Sequence, residues 1–403
     1  MKLFFVTARY VLSLGLFLCA APLAQAQFLD EFDGQAIHPD WQAFTGDGKA
    51  SVAFVPRDGY ARMQIDATED AHNVWWSIIK RNVAPHLDME QLARPDYELR
   101  IEARIRVSHA PRRVNFMINT QRTTDYHQHL REYDIPNTTE WHTISMTTNE
   151  LDAKPGDELN VQLSATDWGP GQYHVDVDYY RAEVVPVEGA KPDVGEPLVY
   201  HPPIAPLEHY AHRSPVDQDV VLNRAYPAVN FDGWHTKEDG KPTPVLTVSH
   251  DQWLLFRWNF PDWENAQAKG AAVLELTTQS VQQGGNYVAA YGQDLGVEFG
   301  KIRVFEVIGG PERWDQKAIT FDSFTQGQPL EALVNGQMVF DVAPALEQGG
   351  KTRITLSRPV IQRLLDGTTR GLLIRPLGAL EATFYDSQGD SPEWAPTLYY
   401  NLH

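Results

Sequence analysis

The stretch Glu98 to Val107 constrains the fold more than any other part of the chain. Leu99, Ile101, Ala103, Ile105 and Val107 alternate without a break with Glu98, Arg100, Glu102, Arg104 and Arg106. A period of two with one charged face marks a half-buried antiparallel strand. Shorter runs of the same kind are Val74 to Ile79, Val114 to Asn119, His142 to Thr147, Leu159 to Ser164 and Tyr173 to Tyr180. Turn signals such as Lys154-Pro155-Gly156-Asp157 and Gly169-Pro170-Gly171 separate them. Many short strands with little helical periodicity read as a β-sandwich.

Residues 186 to 216 interrupt this pattern with Pro186, Pro192, Pro197, Pro202, Pro203, Pro206 and Pro215. Such a stretch is a stiff linker or a strap across the domain surface. A second strand-rich region follows. Its expected strands are Trp253 to Trp258, Ala272 to Thr277, Lys301 to Val307, Gln337 to Val342, Arg353 to Leu356 and Gly371 to Ile374. Pro359 to Leu365 reads as one short helix. The expectation is an all-β protein of two jelly-roll-like β-sandwiches, 27–185 and 217–403, joined by the Pro-rich linker.

Lys2 and Arg9, an apolar stretch from Tyr10 to Leu18, and Ala24-Gln25-Ala26 have the layout of a cleavable signal peptide. Cleavage is expected after Ala26, which places the protein outside the cytoplasm, secreted or periplasmic. Loss of two cations with residues 1–26 takes the formal charge from -19 to -21. Acidity of this size argues against nucleic acid as a partner. The single cysteine, Cys19, lies inside the leader, so the mature chain has no disulfide, thiol nucleophile or thiolate-bound metal. No later segment approaches the ~20 apolar residues of a membrane helix.

The segment richest in chemistry is Asn119 to Ile135, NTQRTTDYHQHLREYDI. Read as a strand from Tyr126 to Ile135, it sends His127, His129, Arg131 and Tyr133 to one face. Tyr126, Gln128, Leu130, Glu132 and Asp134 take the other, and a slip of one residue would exchange the sets. Asn119, Gln121 and Arg122 end the preceding strand, and Lys80 shares a face with Trp76. These groups fit β-elimination beside a uronate carboxylate. Arg131 with Asn119 or Gln121 would neutralise the carboxylate, His127 or His129 would take the proton, and Tyr126 or Tyr133 would protonate the leaving oxygen. Arg122, Lys80 and Trp76 would bind substrate. No cofactor is needed for this chemistry. The competing readings are a solvated polar face and a non-catalytic sugar-binding groove. Glu132 and Asp134 also stand two apart as a glycosidase pair could, on a face that looks like the packed one.

Asp30-Glu31-Phe32-Asp33-Gly34 opens the mature chain and Asp176-Val177-Asp178 closes the first domain. If the first and last strands are neighbours, Glu31, Asp33 and Asp178 could share a structural calcium ion; surface acids are the alternative. Walker, GxGxxG, GxSxG and HExxH motifs are absent.

Two resemblances add to this. Asp219-Val-Val-Leu-Asn-Arg-Ala-Tyr-Pro227, Asn230-Phe-Asp-Gly233, Leu255-Phe-Arg-Trp258, Lys301-Ile-Arg-Val-Phe-Glu-Val307 before Trp314, and Phe340-Asp341-Val342 resemble, in order, the secreted DNRLRE or CBM96-like modules. That resemblance implies substrate capture beside a polysaccharide-degrading activity. Thr120-Gln-Arg-Thr-Thr-Asp-Tyr-His-Gln-His-Leu130, Trp141-His-Thr-Ile-Ser-Met146 and Asp167-Trp-Gly169 with Tyr173-His-Val-Asp-Val-Asp-Tyr179 resemble proteins of marine ulvan-degrading systems. It implies carbon–oxygen lyase or dehydratase action on an acidic, uronate-containing polysaccharide or its oligomers, with an acidic saccharide as partner.

Overall fold

The structure, a computed structural model, describes residues 28–46, 48–70, 76–148, 150–199, 201–238, 240–260, 265–283, 300–389 and 391–403. The expected leader and the start of the run from Val74 lie outside these residues. No described helix is long and apolar enough to cross a membrane.

The first sandwich is built from β1 (Phe28–Asp30), β2 (Gln42–Thr45), β3 (Ser51–Arg57), β4 (Tyr60–Asp66) and β5 (Ser77–Asn82). A one-turn helix, α1 (Met89–Leu92), starts on Asp88, whose carboxylate accepts from the Gln91 amide. It leads to β6 (Tyr97–Val107), β7 (Arg112–Thr120), β8 (Leu130–Ile135), β9 (His142–Thr147), β10 (Leu159–Ala165) and β11 (Gln172–Pro186). One sheet runs β3-β4-β11-β6-β9 with β1 on β11; the other runs β2-β5-β10-β7-β8. Every pairing is antiparallel. The apolar face of β6 enters the core as its alternation requires, with Leu99, Ile101, Ala103 and Ile105 all fully buried. They meet Val114, Phe116 and Ile118 of β7 and Leu159, Val161 and Leu163 of β10 across the sandwich.

The Pro-rich segment is a strap. Arg100, on the charged face of β6, donates to the Lys191 carbonyl (2.9 Å) and to Asp193 (3.1 Å), so half of that face is covered. The chain then closes the open side of the sandwich. The Ser145 amide donates to the Val194 carbonyl (2.9 Å), the Asp134 amide to Glu196 (3.1 Å), and the Leu198 amide to the Glu132 carbonyl (2.9 Å). Gly195 has φ +101°, and a Cβ there would stand 2.9 Å from Ile144 and 3.0 Å from the Tyr133 ring. Glycine is required on both counts.

The second sandwich comprises β12 (His212–Pro215), β13 (Gln218–Asn223), β14 (His235–Glu238), β15 (Lys241–Val248), β16 (Gln252–Arg257), β17 (Ala272–Gln283) and β18 (Lys301–Val307). It continues with α2 (Phe321–Thr325), α3 (Leu330–Leu333), β19 (Val334–Val342), β20 (Lys351–Leu356), α4 (Arg358–Leu365), β21 (Leu372–Leu377), β22 (Leu380–Tyr385) and β23 (Thr397–Tyr400). Its sheets are β12-β23-β17-β22-β15-β14, with β20 on β17, and β13-β16-β21-β18-β19. A second cluster on the outside of the five-stranded sheet joins Trp253, Leu255, Phe305 and Leu373 to Trp314, Phe324 and Leu333.

The two sandwiches meet through polar groups. Gln337 accepts from the Arg113 amide (2.6 Å) and donates to the Thr166 carbonyl (2.5 Å). Arg358 pairs with Glu196 of the strap. Arg363 donates to Asp134 and grips Glu306 with two bonds of 2.8 Å.

Candidate functional site

The strand expected over Tyr126 to Ile135 begins only at Leu130; residues 126–129 form a turn. The proposed row of His127, His129, Arg131 and Tyr133 is therefore broken after its second member. The His127 side chain is 88% exposed beside Asp125, and Tyr126 is also exposed. His129 turns inward and lines a cavity of about 200 Å³ with Thr120, Arg122, Gln128 and Asp152. Burial lowers its pKa, so the imidazole is neutral at pH 7.

The sides of β8 are also exchanged relative to expectation. Tyr133 and Ile135 are core residues, and the Tyr133 hydroxyl, stacked edge-on near Phe116, donates to the Ser145 carbonyl. Burial raises the Tyr133 pKa well above the usual phenol range, which removes it as an acid near neutrality. Arg131 pairs with Asp193 of the strap, which also accepts from Arg100, Ser145 and Thr147. Burial alone would raise the Asp193 carboxyl. The Thr147 hydroxyl and amide and the Arg131 guanidinium outweigh it and hold the acid below its ordinary value. Arg131 is thus already neutralised.

Arg122 is taken as well: it binds Asp152 and, at 2.7 Å, Asp157. Gln121 donates to Asp157 (2.7 Å) and accepts from the Glu158 amide (2.9 Å). The calcium set does not assemble. β1 does neighbour β11, but Asp178 pairs with Arg104 at 3.0 Å, and Glu31 and Asp33 are exposed. Among the described residues no three His, Cys, Asp or Glu side chains come together as a metal site.

What the structure does bring together is the outer face of the sheet β2-β5-β10-β7-β8. Register places Asn82, Asn160 and Asn119 in one row. The next row holds Gln42, Lys80, Gln162, Met117 and Leu130. The third holds Phe44, Ile78, Ser164, Asn115 and Glu132. At ~4.8 Å per strand, the five strands span about 19 Å. Trp76 sits at one edge, T-shaped against Phe44 with ring centroids 5.6 Å apart. Asn119, Lys80 and Trp76, expected as binding residues, therefore share this face, whereas the expected acid–base groups do not.

The floor is short and uncharged. Asn115, Asn119, Asn160, Gln162 and Ser164 are each 5% exposed or less. Gln162 donates to Asn119 and Ser164 to Asn115. The Asn160 amide makes no side-chain hydrogen bond to any described residue. Lys80 has no carboxylate partner among the described residues, whereas Arg113, at the far edge, is held by Glu132 (3.3 Å) and Asp167 (2.7 Å). An outward sheet face normally carries long charged side chains, as β6 does. A floor of amides with one uncommitted cation can instead donate and accept hydrogen bonds in fixed positions and hold one acid group. The signal for Asn115, Asn160, Gln162 and Ser164 was present in the alternation of β7 and β10: their polar positions are amides and a hydroxyl rather than charges.

No family model matches the chain, and no curated protein matches it. Among solved structures, the CBM22-1 xylan-binding domain of Paenibacillus barcinonensis Xyn10C is 12% identical, covers 41% of this chain and 97% of its own, and has a TM-score of 0.27. A CBM4 structure is 21% identical, with 39% and 96% covered and a TM-score of 0.26. The family 11 carbohydrate-binding module of Clostridium thermocellum, in complex with a mixed-linked tetrasaccharide, is 18% identical, with 38% and 92% covered and a TM-score of 0.23. Likeness at this level reaches no further than the β-sandwich class that the strands already display.

Proposed function

We propose that the protein binds an acidic polysaccharide or its oligomers, uronate-containing as in ulvan, along the outer face of β2-β5-β10-β7-β8. The observation that carries this reading is Lys80, without a carboxylate partner among the described residues and in register with Gln42 and Gln162, over a floor of amides with unspent hydrogen-bonding capacity. Lys80 meets a carboxylate or sulfate; Asn160, Asn115 and Gln162 meet hydroxyls; Trp76 borders the sugar path. In a chain this acidic, an uncommitted cation on this face favours the approach of a polyanion there. The test is affinity electrophoresis of the full chain in gels containing ulvan or neutral xylan. Lys80→Met is expected to weaken retention by ulvan about tenfold at low salt, Asn160→Ala severalfold, and Arg57→Gln not at all. Equal mobility of all three variants in ulvan, or no retention of the parent protein, overturns the reading.

Elimination is a second reading, favoured by one observation: a neutral, mostly buried His129 lining a cavity. New ultraviolet absorbance from unsaturated uronate, abolished by His129→Ala but retained by His127→Ala and His109→Ala, would establish it. Retention without new absorbance leaves binding alone. Secretion is part of the same proposal, and N-terminal sequencing of exported protein should begin at Gln27.

A further inference from the structure

The second sandwich carries a separate cationic feature on the outer side of its five-stranded sheet, next to the cluster around Trp253. Register aligns Leu222 with Trp253, and Arg375 with Arg303, which in turn faces Asp341. The pairing of Leu254 with Ile374 sets Trp253 beside Arg375, so one row reads Leu222, Trp253, Arg375, Arg303, Asp341. Two guanidiniums directly opposite each other on antiparallel strands repel. Arg303 is relieved by a two-bond pair with Asp341, both at 2.7 Å. Arg224 is relieved by Asp251 at 3.5 Å.

Arg375 has no such partner. It makes no hydrogen bond or ion pair with any described residue. Its guanidinium lies 4.5 Å from the centroid of the Trp253 ring, and Arg224 lies 6.0 Å from the same ring. Two buried donors in this pair, Arg375 Nε and Trp253 Nε1, are unsatisfied. Burial and the nearby Arg224 and Arg303 lower the Arg375 pKa, against the opposing charge of Glu331 on α3. A buried donor without an acceptor costs about 1–3 kcal/mol, and here that cost comes on top of like-charge repulsion. An oxyanion on the Arg375 fork supplies Arg375 with its missing acceptor and offsets the repulsion, because a guanidinium binds carboxylate or sulfate with two parallel bonds.

We propose that Arg375, seated on Trp253 and flanked by Arg303 and Arg224, is an oxyanion site that takes a sulfate ester or carboxylate group of a saccharide, independently of the face on the first sandwich. The experiment is scanning calorimetry of the full chain at constant ionic strength, with chloride replaced stepwise by inorganic sulfate or by glucuronate. Saturable stabilisation of the second sandwich is expected in the parent protein. Arg375→Met, which keeps the stem on Trp253, should weaken that response at least tenfold while leaving the unliganded midpoint unchanged or higher, because repulsion is removed. Arg375→Lys, which keeps charge without the fork, should fall between them and serves if Arg375→Met does not fold. Response to sulfate alone identifies the ester, and response to glucuronate alone the carboxylate. An unsaturable rise of equal size in parent and variant is the general stabilisation of the folded state by sulfate excluded from its surface and overturns the site, as does no response in the parent protein. A lowered unliganded midpoint with saturable binding retained would make Arg375 structural, and also overturns it.

Discussion

Replacing Arg363 should destabilise the protein more than any other exchange of one charge. Its guanidinium is 3% exposed, between Glu306 at 0% and Asp134 at 4%. Burial alone would lower the Arg363 pKa; the facing Glu306 and Asp134 carboxylates outweigh it and hold the cation above its ordinary range. Burial likewise raises the Asp134 carboxyl, which Arg363 only partly offsets. With Arg363→Met, Glu306 keeps a single neutral donor, the Asn335 amide at 3.0 Å, and Asp134 keeps only its weaker attraction to Arg358. Breaking a buried pair in this way costs about 3–5 kcal/mol. For a domain of this size, 1 kcal/mol moves the midpoint by roughly 2–4 °C, so a fall of roughly 10 °C is expected in calorimetry. The partner substitutions separate the two contributions. Glu306→Gln in the Arg363→Met background should recover much of the loss, because the orphaned charge is gone. Asp134→Asn should mainly loosen the contact between the sandwiches and leave the second transition near its original position. A cost below about 1 kcal/mol for Arg363→Met would mean that water reaches the cluster, and the reasoning from burial would fail.

Asp219 and Asp386 give a pH signature. Burial first, and then mutual repulsion, lifts Asp219 to about 7; burial and the nearby Asp232 lift Asp386 to about 6. Folded-state values above the unfolded ones mean stability that is full below about pH 4 and is lost as pH rises through 6 and 7. Denaturant titrations should therefore show the second sandwich losing stability, on the order of 2–4 kcal/mol, between pH 5 and pH 8, and Asp219→Asn should flatten that slope; an unchanged slope refutes it. The strap predicts the opposite dependence, since the Asp193 carboxyl is held below its ordinary value. Its contribution is present above about pH 4 and lost on acidification, and Asp193→Asn should expose the 186–199 segment to proteolysis at neutral pH. Gly195→Val should do the same through its clash with Ile144 and Tyr133.

The parts of the fold that could be read in advance are those in which one face is wholly apolar. The charged and apolar faces of β6 were legible residue by residue, and β9 and β18 run over the very residues expected, His142–Thr147 and Lys301–Val307. The helix expected over Pro359 to Leu365 is α4, one residue longer at its start. In each case local alternation or spacing coincides with the tertiary demand, so nothing overrides it. The floor of the candidate site was half legible: Lys80 and Asn119 were singled out for their chemistry, but Asn160, Gln162 and Ser164 stand on a strand recognised only as a strand.

β8 shows where such reading stops. Alternation correctly divided Arg131 and Tyr133 from Leu130, Glu132 and Asp134, because the pleat allows nothing else. It could not say which set faces inward, since each mixes polar with large apolar groups. A guanidinium and a phenol look like chemistry in the sequence and turn out to be the inner seam of the sandwich. They are acceptable there only because the strap, about sixty residues further along the chain, delivers Asp193 to Arg131, while β9 delivers the Ser145 carbonyl to Tyr133. Those partners are tertiary and leave no local mark. Glu132 and Asp134, which looked packed, reach outward to Arg113 and Arg363 instead. Period two therefore fixes the parity of a strand, and its side is decided by what else in the chain can satisfy the charges that are turned inward.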